Sequence, residues 1–270
     1  PPIRVRSDGR EKVMRNCLRL LAIVMVLAVV GTANAAGTMS AREGSILGGP
    51  PPSFASVSGD IIEEECIDVD GLTSNGWVMV NNSDNPSTSL WFQGNSTVFP
   101  AASGNPDEYC AANYQAVASG VGTISLWLLS PEIDMDAVGS ISFVTRTVAG
   151  SSWPDRLQLR YSTSGDSSDC GTGAEDVGVF TELIDDINAD LALAGYPEEW
   201  TEFAYDDTAV SGGTGRLAFR YYVASGGPSG SNSNFIGVDS ISVDSGGGDG
   251  GEGGVPATST WGVILLIALF

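Results

Sequence analysis

In DRLQLRYST (155–163), Leu157, Leu159 and Tyr161 alternate with Gln158, Arg160 and Ser162. A period of two sends successive side chains to opposite faces, so this pattern buries a single apolar face only as a strand. It returns in GRLAFRYYV, where Leu217, Phe219, Tyr221 and Val223 alternate with Arg216, Ala218 and Arg220. SISFVTRT (140–147) and NFIGVDSISV (234–243) read the same way, and clusters of Gly, Ser, Asn and Asp separate the runs. An all-β domain is predicted. Roughly 185 residues suits a two-sheet antiparallel jelly-roll sandwich. One segment departs: FTELIDDINADLALAGY (180–196) is predicted to hold a short helix stopped by Gly195.

The two ends of the chain read differently. Residues 1–13 are expected to be an upstream extension, with Met14 as the start. Arg15 and Arg19, the apolar Leu20–Val30 and then Ala33-Asn34-Ala35 form the three parts of a secretory signal peptide over 14–35. Its cleavage site lies at Ala33 and Ala35. Residues 36–58 are a small, polar, Pro-rich flexible leader, and 59–244 hold the domain. SGGGDGGEGG (245–254) is a Gly-rich linker. The tail, 255–270, closes on an apolar run from Trp261 to Phe270, 10 residues long. A membrane-spanning helix needs about 20.

Charge removes several functions. Without residues 1–35 the chain has 31 acids against six arginines, a net charge of −25. Nucleic acids and anionic membranes repel such a surface, so nucleic-acid binding is excluded. There is no His, and the single Lys, Lys12, precedes the signal. Ser-His-Asp catalysis, His-bound zinc and Lys Schiff-base chemistry each lack their central residue. Of the cysteines beyond the signal, Cys66, Cys110 and Cys170, one pair can bridge in an oxidising compartment and one thiol is left over.

Three constellations are candidate sites. In SPEIDMDAVG, Glu132, Asp134 and Asp136 alternate, as do the paired carboxylates of jelly-roll glycosidases on one face of a strand. The alternative reading of this segment is a strand end whose acids face water. Glu64 and Asp68, in the acidic EEECIDVDG, lie near the start of the domain and Asp239 near its end. If first and last strands are neighbours, these three are placed to share a structural calcium ion, which takes 6–8 oxygen ligands. A solvated acidic edge is the alternative. Among the aromatics, Trp77, Trp127 and Trp200 are expected in the core. Trp91 and Trp153, in turn-like surroundings, are the candidates for stacking on a sugar ring, with core or loop packing as the alternative for both.

Several strings, in order, carry a resemblance: GWVMVNNSDNPSTSLWFQGNSTVFPAASGNPDEYCAANY, GTISLWLLSPEI, ISFVTRT, WPDRLQLRYSTSG and RLAFRYYVASGGPSGSNSNFIGVDSISV. Together they resemble the choice-of-anchor J domain, a relative of the cleaved-adhesin and MAM-like jelly rolls, over about residues 60–244. Cys66 stands where the family usually has Phe, and Cys110 replaces an ordinary strand residue, which makes these two a candidate pair. The tail resembles an I-P-T-L-x-x-W-G sorting signal. Pro256, Trp261 and Gly262 match it and Val255 stands for Ile. Ala257-Thr258 departs from it, and the closing basic cluster is absent, as in a truncated signal.

The resemblance implies a secreted, non-catalytic β-sandwich at the envelope surface of a Gram-negative-type bacterium, or released from it. Its expected role is adhesion or binding of a surface glycan or matrix protein. Its expected processing partner is an exosortase-type membrane protease, met while the tail transiently contacts the inner membrane. A carboxylate glycosidase and a purely structural envelope or matrix component are the alternatives.

Overall fold

The computed structural model describes residues 60–246, which form 12 strands and three short 3-10 turns with no α-helix among them. The strands are β1 (Asp60–Glu64), β2 (Val78–Asn81), β3 (Phe92–Gln93), β4 (Cys110–Asn113), β5 (Gly122–Leu129) and β6 (Ile133–Asp134). They continue as β7 (Val138–Thr147), β8 (Leu157–Ser162), β9 (Glu182–Ile187), β10 (Thr201–Asp206), β11 (Thr214–Gly226) and β12 (Phe235–Ser245). The signal peptide with Ala33 and Ala35, the leader, most of the linker, and the tail with Pro256, Trp261 and Gly262 lie outside the described residues.

Every strand pair is antiparallel, and there are two sheets, ordered β10-β7-β12-β4-β3 and β2-β5-β11-β8-β9. Leaving out the short β1, β2, β3 and β6, the chain crosses between the sheets in the order of a jelly roll, with first beside last and second beside penultimate. The last strand, β12, lies inside its sheet. Its first half pairs with β4 (Ile236↔Ala112) and its second half with β1 (Glu64↔Ile241), while β7 runs along its other edge.

Three apolar layers hold the sandwich. The main core between the sheets takes Leu126, Leu128, Ile141, Phe143, Leu157, Leu159, Leu217, Phe219, Tyr221 and Val223, the inward residues of the alternating runs. Burying a side chain of this kind stabilises by about 1.5–3 kcal/mol. A second cluster lies on the outer face of β5 and β11, where Cys170 and Phe180 pack on Trp127, Leu129 and Ala218. A third joins Phe99 and Tyr109 to Phe235, with Trp200 against them. Gly237 of β12 lies beneath this group: a Cβ there would come within 2.7 Å of the Trp200 ring and 2.8 Å of Tyr109.

The second layer explains why the polar face of the alternating strands is not wet. Arg220, 1% exposed, lies over the rings of Trp127 and Tyr222. It donates to Ser125 Oγ (3.0 Å), Gln158 Oε1 (3.2 Å) and the Ala174 carbonyl. Arg216 donates to the carbonyls of Gly76 (2.9 Å), Ser130 (2.6 Å) and Asp166 (3.1 Å). These guanidiniums tie loop carbonyls to the sheet, a role suited to five fixed donors. No buried side-chain polar atom among the described residues lacks a partner.

The helix predicted over 180–196 is not there. Its first part is β9, paired with β8 (Leu157↔Ile187) and exposing Leu183. Its second part turns through left-handed Asn188 (φ 60°), Leu191 (φ 51°) and Ala194 (φ 55°). Asn188 fixes that turn by donating to Asp155 O (2.8 Å) and accepting from Ala192 N (2.9 Å). Open hydrogen-bonding positions along β8, together with an Asn that tolerates αL, override the helical spacing.

Candidate functional site

A cleft of about 770 Å³ opens beside β3 and β4, on the edge of the first sheet. Leu90 (40% exposed), Val98 (39%) and Tyr114 (37%) line it, with half-buried Phe92 and Met79. Polar groups stand among them: Asp70, Thr88, Asn95, Asn113, Gln115 and Asn234.

Local rules build each wall. Asn113 ends β4 in extended backbone, and its Oδ1 accepts from Gln115 N at 2.9 Å, which caps the short 3-10 turn of Tyr114–Ala116. That turn carries Tyr114 into the cleft. The facing loop, 82–91, is held by Asn81 of β2, whose Nδ2 donates to the carbonyls of Ser89 (3.0 Å), Ala116 (2.9 Å) and Ser87 (3.3 Å). One amide thus sets the spacing between both walls. The third wall carries Val69 and Asp70, and Gln93 of β3 secures it by donating to Cys66 O (2.9 Å) and accepting from Val69 N (3.1 Å). A Cys66–Cys110 disulfide fastens it to β4, with Cα atoms 5.4 Å apart.

Cys66 and Cys110 are therefore the bridged pair, and Cys170 is the free, buried thiol. Burial among apolar groups pushes Cys170 up to about 12, which leaves it an unreactive thiol.

The residues singled out in the sequence meet different fates. Trp91 presents no ring to a ligand: it is 2% exposed and its indole nitrogen donates to Leu126 O at 3.4 Å. It backs the cleft, and the exposed aromatic is Tyr114. Trp153 is 49% exposed but lies on the loop after β7, outside the cleft lining. Trp77 and Trp127 are buried, while Trp200 is half-buried with its indole donating to Pro100 O at 2.9 Å.

The calcium expectation finds no donor set. No group of three acidic or thiol side chains among the described residues is arranged to hold a metal ion. Strands β1 and β12 are neighbours as expected, yet Glu64, Asp68 and Asp239 do not converge. Asp239 is fully buried and spends its oxygens on the backbone N–H of Ala102 (2.9 Å), Ser103 (3.3 Å) and Ser240 (2.8 Å). Glu64 accepts from Cys66 N (2.8 Å), and Asp68 from Gly71 N (3.1 Å). Burial pushes Asp239 up to about 6 against those three hydrogen bonds.

Glu132, Asp134 and Asp136 do all point outward, with Ile133 and Met135 buried between them. The strand stops after two residues, however. Asp134 caps the following turn through Asp136 N (3.1 Å), and Asp136 accepts from the N–H groups of Gly212 (2.8 Å) and Gly213 (3.0 Å). None of the three lines the cleft.

Nothing in the sequence singled out Asp155, the most enclosed carboxylate. It accepts from Tyr221 Oη (2.5 Å) and Asn234 N (2.7 Å) on one oxygen and from Thr147 Oγ1 (2.5 Å) on the other. Burial raises it above the usual carboxylate range, and the hydroxyls near it, of Tyr221 and Tyr196, are raised as well. Its position between two predicted strands, in WPDRL, was the available signal.

No family model and no curated protein sequence matches this chain. Among solved structures it is similar to the K3 cleaved adhesin domain of Lys-gingipain from Porphyromonas gingivalis W83. The identity is 14% and the TM-score 0.47, over 70% of this chain and 99% of that one. The K1 domain of the same protein gives 15% and 0.44, over 64% and 92%. A family 11 carbohydrate-binding module from Clostridium thermocellum, in complex with a β-1,3-1,4-mixed-linked tetrasaccharide, gives 15% and 0.36, over 67% and 94%.

Proposed function

We propose that this chain is a non-catalytic glycan-binding module, exported and displayed at the cell envelope surface. The observation that carries the reading is the cleft, where exposed Tyr114, Leu90 and Val98 stand among amide and hydroxyl groups. Sugar rings present apolar C–H faces edged by hydroxyls. A concave wall of apolar patches with a few convergent polar groups suits them. Several of these groups have capacity to spare: among the described residues, neither the Thr88 hydroxyl nor the Gln115 Nε2 makes a hydrogen bond within the protein.

Hydrolysis is not part of the reading. With no His and no Lys in the domain, only carboxylates remain as catalysts. Asp70 is the one carboxylate in the cleft lining, so the cleft lacks the second that a glycosidase uses. Export rests on the signal-like 14–35, and transient anchoring followed by exosortase-type cleavage rests on the Pro256, Trp261 and Gly262 pattern. Mass spectrometry of the exported protein should then show loss of residues through Ala35 and of the tail near Pro256.

The test of binding is calorimetric titration of the exported chain against a panel of plant, algal and bacterial oligosaccharides. Tyr114→Ala should weaken binding at least about tenfold, on the scale of a stacked sugar ring, with an unchanged melting temperature. Polysaccharide turnover abolished by Glu132→Gln would restore the hydrolase reading. Binding of an oligolysine peptide in place of any sugar, lost in Tyr114→Ala, would assign the cleft to a basic protein.

A further inference from the structure

Residues 60–246 contain 28 Asp and Glu against five Arg, with no Lys or His. All five guanidiniums are committed inside the protein. Arg146 donates to Glu198 O (2.5 Å) and lies over Phe99. Arg156 pairs with Asp186 (2.5 Å). Arg160 donates to Gln158 Oε1 (2.9 Å) and Phe180 O (3.1 Å), and Arg216 and Arg220 bind the loop carbonyls described above. None of the five lines the cleft. Asp70 does, exposed, and its carboxylate makes no hydrogen bond among the described residues.

Sites that recognise sugar carboxylates or sulfates supply Arg or Lys to meet the charge. This cleft has no such group within its walls and has a free carboxylate instead. We propose that the cleft selects uncharged glycans and rejects uronate-bearing or sulfated ones, with Asp70 as the discriminating residue. The inference rests on the glycan-binding reading and adds the class of sugar. The repulsion acts between partly solvated charges, so salt weakens it and screens it beyond a Debye length of about 10 Å at 0.1 M.

The experiment uses matched pairs on one backbone: hexamers of β-1,4-glucan, β-1,4-mannan and α-1,4-galactan, each beside its C6-oxidised uronate form. Affinities for the exported full chain are measured at 20 and 500 mM NaCl. For every backbone bound, the neutral member should bind at least about tenfold tighter at low salt, and the gap should narrow at high salt. Asp70→Asn should narrow the low-salt gap, and Asp207→Asn, an acid outside the cleft, should not. Uronates bound as tightly as their neutral partners would overturn the selection while leaving glycan binding intact. A gap that Asp70→Asn leaves unchanged would overturn the role of Asp70. If no neutral or charged hexamer binds, the glycan reading itself falls and the selection with it.

Discussion

The carboxylate of Asp155 takes the Tyr221 hydroxyl at 2.5 Å from one sheet and the Thr147 hydroxyl at 2.5 Å from the other. It also holds Asn234 N at the entrance to β12. One side chain thus ties both sheets and the strap that leads into the last strand.

Removing it should be costly. Asp155→Ala leaves the buried Tyr221 hydroxyl and the Asn234 N–H without their acceptor, each worth about 1–3 kcal/mol when left unmade, while Thr147 Oγ1 keeps the Phe235 carbonyl at 3.0 Å. A loss of at least about 3 kcal/mol in chemical denaturation is expected. Asp155→Asn should be milder, since its amide oxygen keeps one acceptor. Equal, small losses in both variants would show that the network is dispensable.

Stability should depend on pH in two opposite ways. Asp239 is raised by burial to about 6, above its unfolded value, so its contribution is full below about pH 4 and lost as pH rises through about 6. Asp155 is raised by burial in the same direction. Asp186 is pushed up by burial but pulled further down by hydrogen bonds from Arg156 and Gln158, so its stabilisation exists above its unfolded value and is lost in acid. The melting temperature should be higher at pH 5 than at pH 7.5 and fall again below about pH 3.5. In Asp239→Asn the slope between pH 5 and 7.5 should flatten. Identical slopes in variant and parent would refute this assignment.

The disulfide should matter for both stability and the cleft. A bridge across a sequence separation of 44 residues is worth about 4 kcal/mol in the loop-entropy model. For a domain of this size that is roughly 8–16 °C in melting temperature. Cys110→Ser should show a loss of this order, and it should weaken sugar binding because Val69 and Asp70 lie just past Cys66. Reducing agent should destabilise the parent and leave the variant unmoved.

Asn81 separates scaffold from contact. It does not line the cleft, yet its amide spaces the two walls. Asn81→Ala should weaken glycan binding as Tyr114→Ala does, but with a lowered melting temperature. Binding kept at the parent level would mean that the walls hold their spacing without it.

The strands were legible in the sequence because their inward faces repeat every two residues. Leu157, Leu159, Leu217 and Phe219 announce their own burial. What covers the outward faces was not legible: Gln158, Arg216 and Arg220 look like solvent-facing residues until loops from elsewhere close over them. The cleft stayed hidden for a related reason. Trp91 and Trp153 occur in turns, which suits either stacking or packing, and only the fold shows that Trp91 turns inward and that Tyr114, in the turn capped by Asn113, is the exposed ring. The acids were the least legible. Glu64, Asp68 and Asp239 meet a sequence criterion for a shared cation, but backbone N–H groups reach the carboxylates first.

The place of β12 sets a timetable. The last of the described strands runs between β7 on one edge and β4 and β1 on the other, so the first sheet has a gap until that strand is made. Pairings between Asp60–Glu64 and Ile241–Asp244 span almost the whole domain, and contacts of such separation form slowly. A nascent chain ending before Phe235 has every strand of the second sheet but lacks the one that joins β7 to β4 and β1 in the first.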